Sequence, residues 1–584
     1  MKRTLFLSAM VLAAALTASA EPVGEAKARQ TAISFMNGRS VTQDNTFEQA
    51  VAAARTSHPS LLTSPLYIYN VENDGGFVIV SGDDATVSIL AYGTQGSISY
   101  DRMPENVKCV VDGYAEQISL MQEQGTTARR HAPAAERTTI EPLLTSQWGQ
   151  GAPFNDECPM FLTGTRSVTG CMATALAQLM YYYRLTSVDK LQADITDYTC
   201  ARNWGAYVHV DGIQKGTPIE WSLMVDRYNG SESAESRKAV ATLMKMCGAA
   251  LRMDYADEIN GGSTATAITA VAAAKKYFGY STYADIIFHD EMTDSEWDNA
   301  IYHELQLNRP VLISGQTPTN SGHAFMCDGY DSQTDKYHIN WGWEGYCDGY
   351  FELKNLEPAG QGTGGTEGGY NSQQSALLYM VPGNGEPYEE PIALTTVNIK
   401  LTGEATTTRN YFGQAALSCS FRMANGTTDK HDFQYALAAY DVTGNFVGLV
   451  TGVSQYNGLP TNAYLNATTT CFPGMYAGNN ARWPAGTYRI YIVSREAKSD
   501  VWIRNLGNKE LFITAAVTDK DITYCVGEPQ LNAISPTLMD SERVSGEKCY
   551  DLQGRRVKVN VNDNANVNGK KGLYIINGKK IVIR

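Results

Sequence analysis

The chain has 584 residues, enough for three to five units at about 150 residues each and enough to bury several independent cores. Hydrophobic residues make up 43% and charged residues 18%, with 52 Gly, 34 Tyr and 20 Pro, which excludes a mainly disordered chain and describes a globular one rich in turns and aromatics. Lys and Arg total 47 against 61 Asp and Glu, a formal net charge of −14; no local basic face offsets it, so nucleic acid is not expected as a partner.

Met1-Lys-Arg, an apolar run from Leu5 to Leu16 and the small residues Ala18-Ser19-Ala20 read as a signal peptide over residues 1–20,. The run is too short to span a bilayer and no Cys follows to take a lipid, so the expected location is secreted or at the cell surface, periplasmic or extracellular, with no transmembrane segment. The cysteines number 11, too sparse for a disulfide scaffold and odd in count, which leaves at least one thiol free.

Residues 21–137 open with a helix over Glu25–Met36, continue through the strands Pro65–Asn70 and Gly76–Ser81, and close with a helix over Val107–Glu123,. Gln124–Arg137 has no apolar periodicity and carries basic sites open to a protease, as a cleavable linker would,. Residues 138–383 place helices first (Cys171–Tyr183, Ser233–Met253, Thr264–Phe278, Thr293–Leu307) and close-set strands afterwards (Pro310–Ser314, His323–Tyr330, Tyr337–Trp341, Gly349–Leu353), an α+β layout,. A polar, Pro-bearing hinge at 384–392 leads to residues 393–527, where alternating stretches predict an all-β, immunoglobulin-like sandwich,. Two Gly-turned hairpins with basic edges form a small β module at 528–584.

Cys171 follows Thr169-Gly170 and opens an amphipathic helix. A thiol in the first turn faces unpaired backbone N–H groups and the positive end of the helix dipole, both of which favour thiolate. Lowering a thiol pKa from about 8.5 to about 4 needs roughly 6 kcal/mol, more than the dipole supplies, so a cationic partner must contribute. An ordinary Cys is a small buried hydrophobe, and position and partners decide otherwise here. Of eight His, His303 lies beside Glu304 on a helix without the second His a zinc peptidase needs. His323 opens a strand after the Gly322 turn, 152 residues beyond Cys171, close to the separation of about 130–150 between nucleophile and base in papain-like peptidases.

In Tyr337-His-Ile-Asn-Trp-Gly-Trp343, alternation puts Asn340 on one face and Trp341 and Trp343 on the other,. Asn340 could accept the imidazole N–H and fix its tautomer, or Trp341 could shield the ring from water. Upstream, Gln147 and Gln150 both offer an amide N–H that, with the Cys171 N–H, would make an oxyanion hole, and spacing does not choose between them,.

Five stretches in order resemble the streptopain family of secreted, papain-like cysteine peptidases: Gln150-Gly-Ala-Pro-Phe-Asn155, Thr169-Gly-Cys-Met-Ala-Thr-Ala-Leu-Ala-Gln-Leu-Met180, Gly322-His-Ala-Phe-Met-Cys-Asp-Gly-Tyr330, Tyr337–Trp343, and the glycine-rich 362–371 followed by Gln374-Ser-Ala376. The resemblance implies a two-lobed papain-like domain, Cys171 as nucleophile, His323 as general base and acid, and Gln150 as oxyanion donor, with the third position open between Asn340 and Trp341. It implies substrate contacts from Trp343, Gly322, and Gly364 and Gly365 in a mobile loop bordering the site. Phe154 replaces a family Tyr, a loss of one hydroxyl. The resemblance further implies protein or peptide substrates, residues 21–137 as a propeptide that blocks the enzyme, broad specificity with an apolar preference, and no cofactor or metal beyond a reduced thiol.

Tyr550-Asp-Leu-Gln-Gly-Arg-Arg556 and Gly572-Leu-Tyr-Ile575 resemble C-terminal modules of exported Bacteroidetes proteins, some of which engage secretion machinery. Two other classes fit less well. A surface binding protein on a papain-like scaffold would be expected to lack Cys171, His323 or Gln150, and a transglutaminase-like transferase would have to exclude water in favour of an amine.

Overall fold

A computed structural model describes residues 22–55, 64–84, 86–124, 137–201, 207–289, 292–316, 322–353, 372–385, 388–476, 481–507 and 511–528, with the strands at 549–551, 556–557, 572–576 and 579–583. The chain divides into two compact units, Met1–Glu528 and Pro529–Arg584. The signal-peptide reading, the linker residues 125–136 and the glycines Gly364 and Gly365 lie outside the described residues.

The helices are α1 (Glu25–Phe35), α2 (Asn45–Arg55), α3 (Glu105–Gln124), α4 (Cys171–Tyr182), α5 (Ala234–Ala250), α6 (Ala267–Phe278) and α7 (Asp294–Gln306). Local signals fix their starts. Ser233 caps α5, and Thr293 with Glu296 forms a reciprocal capping box on α7,. The strands of the first half are β1 (Val41–Gln43), β2 (Leu66–Val71), β3 (Phe77–Ser81), β4 (Ile89–Gly93), the hairpin β5 (Tyr198–Ala201) and β6 (Tyr207–Val210), then β7 (Asp285–Phe288), β8 (Val311–Gln316), β9 (Gly322–Asp331), β10 (Lys336–Asn340), β11 (Gly349–Phe351) and β12 (Ser372–Leu378).

Apart from the β5–β6 hairpin these strands form one ten-stranded sheet in the order β1-β2-β3-β4-β11-β10-β9-β8-β12-β7. The N-terminal unit is thus continuous with the sheet of the domain after it. The seam is β4 on β11, with Tyr92 opposite Tyr350 and Ala91 opposite Phe351. The Tyr92 and Tyr350 rings stack at 4.9 Å, and the Tyr92 hydroxyl donates to Asp331 at 2.7 Å. One face of the central strands, through Leu312, Ala324 and Met326, packs on α4, α5 and α6. The other, through Val311, Ile313, Phe325, Cys327 and Ile339, packs on α7 and α3 in a core shared with Leu66, Ile68 and Ile79 of the N-terminal strands.

One reading is corrected. Arg137 is not an open protease site: its guanidinium pairs with Asp298 at 2.7 Å, donates to the Tyr337 hydroxyl at 3.1 Å and lies 4.4 Å over the Tyr302 ring. Cation-to-ring contact and a carboxylate together hold it against the domain. Ser375 and Ala376, which follow the glycine-rich stretch, belong to β12, which fills the gap between β8 and β7.

The β-sandwich pairs a three-stranded sheet (Thr395–Leu401, Leu417–Ala424, Tyr464–Cys471) with an eight-stranded one centred on His431–Asp441 and Gly486–Glu496, around Phe433, Trp483 and Ile490. It is docked on α5 and α6. Lys276 meets Glu390 at 3.1 Å and Asp429 at 3.2 Å, Arg252 pairs with Asp429, and Asn462 donates to the Leu251 carbonyl at 3.0 Å. Glu390, from the stretch read as a hinge, is thereby anchored. The last unit is a four-stranded antiparallel sheet of Arg556–Val557, Cys549–Asp551, Gly572–Ile576 and Lys579–Ile583, in that order.

Because the Arg137 and Asp298 side chains are only 6% and 13% exposed, removing one leaves a buried charge unpaired. Arg137→Met is expected to destabilise the Cys171→Ala chain by about 3–5 kcal/mol, read as a lowered urea midpoint; an unchanged midpoint would show that the pair is solvated.

Candidate active site

Helix α4 starts at Cys171 because the preceding residue turns the chain in a way only glycine adopts easily. Gly170 has φ 83° and ψ 139°, and a Cβ there would meet the Met253 side chain at 2.8 Å,. The turn leaves the first N–H groups of α4 pointing at the half-buried Cys171 side chain, whose Sγ also accepts from the Ala324 N–H at 3.4 Å. Burial raises the thiol pKa, while the N–H groups of Ala324, Met172 and Cys171 act to lower it; burial prevails and the thiol is neutral in this state,.

Ala324 follows His323 at the start of β9, where His323 pairs with Gly315 of β8. The imidazole is buried and lies parallel to the Trp343 indole, at 12° and 6.3 Å between centroids. Its Nε2 sits 3.3 Å from the Trp341 carbonyl. A carbonyl only accepts, so Nε2 carries the proton and Nδ1 keeps its lone pair. Burial lowers the His323 pKa to about 4, against some support from the Trp341 carbonyl. Thiol and imidazole are therefore both uncharged in this closed arrangement.

The remaining predicted residues fall into distinct places. Gln150 is buried, and its backbone oxygen accepts from Thr169 N at 3.1 Å, two residues before the thiol. Gln147 lies instead against the turn at Gly345, where an added Cβ would come within 2.5 Å of its Oε1. Asn340 is buried, but its Oδ1 accepts from Gln178 Nε2 at 3.0 Å and from Gly342 N at 3.1 Å, and its Nδ2 donates to the Ser146 carbonyl at 2.9 Å. The Trp341 indole is buried beside Phe325 and Phe351, so it is the backbone carbonyl of this residue that meets His323. Trp343 donates from Nε1 to Asn106 of α3 at 2.9 Å, which brings the N-terminal unit to the rim of the site. Gly322 is exposed and pairs with Gln316. Phe154 is buried 5.3 Å from Tyr228 and 6.3 Å from Trp148 between ring centroids, in an aromatic cluster.

Residues 148–351 match the model of the Peptidase C10 family, and residues 20–118 match that of the Spi protease inhibitor. Streptopain of Streptococcus pyogenes serotype M28 is 34% identical over 336 residues, covering 55% of this chain and 81% of streptopain. The chain belongs to the streptopain family. It is a cysteine-type peptidase with a Spi-type inhibitor domain at its N-terminus. The streptopain-family likeness extends to the thiol protease/hemagglutinin PrtT of Porphyromonas gingivalis, 28% identical over 77% of this chain and 54% of PrtT, so the chain spans about half of that relative. Among solved structures, a mutant fragment of Prevotella intermedia prointerpain A is 27% identical over 56% of this chain and 98% of its own, with a TM-score of 0.46. Active interpain A is 30% identical over 44% of this chain and all of its own, with a TM-score of 0.37.

Several groups of this streptopain-family site escape a reading by residue type. Asp348 accepts from Trp341 N at 2.9 Å and is raised to about 7 by burial. His338 holds Asp328 at 2.7 Å; burial works against its charged form, and the Asp328 carboxylate reverses this to a raised pKa. Gln178 stands out only as the polar residue of a helix whose other positions from Met172 to Tyr181 are nearly all apolar. Among the described residues no cluster of His, Cys, Asp or Glu could hold a metal, and no helix is long and apolar enough to cross a membrane.

The buried neutral His323 makes stability depend on pH. Its pKa is lowered from the ordinary 6.5 to about 4, so its contribution is complete above pH 6.5 and is lost as the pH falls toward 4. Asp348, raised from 3.8 to about 7, runs the opposite way and loses its contribution as the pH rises through 7. The His323 share is therefore isolated by difference. In the Cys171→Ala chain, His323→Gln is expected to flatten the loss of thermal stability between pH 6.5 and 4, and an unaltered slope would show that the imidazole is not held neutral.

Proposed function

We propose that this streptopain-family peptidase is exported as a zymogen and hydrolyses protein peptide bonds through a thioacyl-enzyme at Cys171. The observation that carries this reading is the contact of Cys171 Sγ with the N–H of Ala324, which brings the first turn of α4 against the residue next to His323. In the reaction, His323 Nδ1 takes the thiol proton and the thiolate attacks the scissile carbonyl carbon. The oxyanion is held by the Cys171 N–H and the Gln150 amide. The imidazolium then gives its proton to the leaving amine, and the neutral imidazole activates the water that releases the acid. Trp343 stacks along the imidazole and limits its access to water. The Trp341 carbonyl holds the Nε2 proton through both half-reactions and so fixes the tautomer.

The N-terminal segment to about residue 137 acts in this reading as the intramolecular inhibitor. It completes the sheet through β4 and reaches Trp343 through Asn106. With the segment in place the pair is buried and uncharged; its removal admits water and substrate and lets proton transfer give the thiolate–imidazolium pair. Residues 1–20 are the export signal, residues 138–383 the catalytic domain, residues 393–527 a sandwich fixed beside it, and residues 528–584 a module that engages secretion machinery.

Two measurements test this. Incubated with a thiol reductant, the wild-type chain is expected to lose its N-terminal segment by intact mass and Cys171→Ala is expected to stay whole; trimming of the variant would overturn the nucleophile. Gln150→Ala, matured by an external protease, is expected to lose about 10²–10³ in kcat with its fold intact, and an unchanged kcat would move the oxyanion donor to Gln147.

A further inference from the structure

Gln178 lies seven residues beyond Cys171, two turns along α4 on nearly the same face,. It is 1% exposed, and a buried amide costs about 1–3 kcal/mol for each group left unpaired. Both ends of the amide are engaged. Oε1 accepts from Ser146 Oγ at 3.0 Å, Trp148 N at 3.3 Å and Asn340 Nδ2 at 3.3 Å, and Nε2 donates to Asn340 Oδ1 at 3.0 Å. Gln178 and Asn340 thus bond face to face across the boundary between the helix layer and the sheet.

Asn340 Oδ1 takes a second bond, from the Gly342 N–H at 3.1 Å. That N–H belongs to the same peptide plane as the Trp341 carbonyl, and in a planar trans peptide the two point in opposite directions. Holding the N–H on Asn340 therefore aims the carbonyl, and it is this carbonyl that meets His323 Nε2. Gly342 permits the geometry with φ 75°,. On the other side, Asp348 holds the Trp341 N–H at 2.9 Å.

We infer that Gln178 is a positioning residue, which acts through Asn340 and the Trp341–Gly342 peptide to tie the His323 imidazole to the helix that carries Cys171. This rests on the reading of Cys171 and His323 as the reacting pair. It gives Asn340 a role one step removed from the imidazole. It also makes the thiol–imidazole geometry a property of α4 itself, since both ends of the relay start from that helix.

The test uses the full chain with its N-terminal segment removed by an external protease, so that maturation does not depend on activity. Gln178→Met removes the donor and the acceptor; Gln178→Glu keeps the acceptor for Ser146 and Trp148, replaces the amide donor with a carboxyl oxygen, and serves where the first variant does not fold. Per titrated active site, each is expected to lower kcat about 10–100-fold, with KM nearly unchanged. The pH profile for alkylation of Cys171 by iodoacetamide is expected to move toward an ordinary thiol near pH 8.5. Asn340→Ala is expected to do the same, and Gln178→Met/Asn340→Ala to be no worse than the more severe single variant, as for two links of one chain. Wild-type alkylation profiles in the Gln178 variants, or a double variant whose loss is the product of the single losses, would overturn the inference. A wild-type enzyme that itself alkylates as an ordinary thiol would overturn the Cys171–His323 reading and this inference with it.

Discussion

The first turn of α4 rests against the first residues of β9, and the register of the sheet decides whether that contact has chemical meaning. Side chains alternate along β9, so Ala324 and Met326 face the helix layer while Phe325 and Cys327 face the opposite core. A slip of one residue against β8 would exchange the faces of His323 and Ala324. Both faces of β9 are buried, so such a slip would expel apolar side chains on each side at once. The thiol, at the end of a helix packed on one of those faces, is thus brought by hydrophobic burial to the backbone of Ala324, the residue next to His323, and the polar contacts refine a placement already made.

The N-terminal unit enters the same logic as part of the sheet. Its strands continue the pairing through β4 and β11, and α3 lends Val107, Val111 and Ile118 to the core that also buries Trp341 and Phe351. The inhibitor is therefore built into the layer that carries the site. In the proposed reading its effect on the site is electrostatic as well as steric, because enclosing two titratable groups in a low-dielectric setting favours the neutral thiol and neutral imidazole over the ion pair.

Much of this was legible in the residues. Gly170-Cys171 followed by apolar spacing marked α4, Gly322-His323 marked β9, and the stretch Thr293–Leu307 marked α7, because each depends on short-range pattern. What was not legible depends on distant partners. The polar start of β12 resembles a loop until β8 and β7 supply its pairing, and the fusion of the N-terminal strands with the central sheet leaves no local trace. Of the two residues left open beside His323, Trp341 meets it, but through its backbone carbonyl, which every residue has and no residue type reveals. Arg137 looked open because a guanidinium in a polar stretch is normally solvated, and only the fold supplies Asp298 and Tyr302.

Cutting the connecting chain does not by itself undo the pairing of β4 with β11. A scission turns an intramolecular contact, with an effective concentration on the order of millimolar, into an ordinary bimolecular one, so the freed segment leaves by dilution or digestion and not by the cut alone. Were it to leave, the backbone groups of Tyr350 and Phe351 that faced β4 would form a raw sheet border. Any extended peptide able to zip onto that border competes for the same place, and its shortness, three residues in β11, keeps such pairing weak enough to reverse.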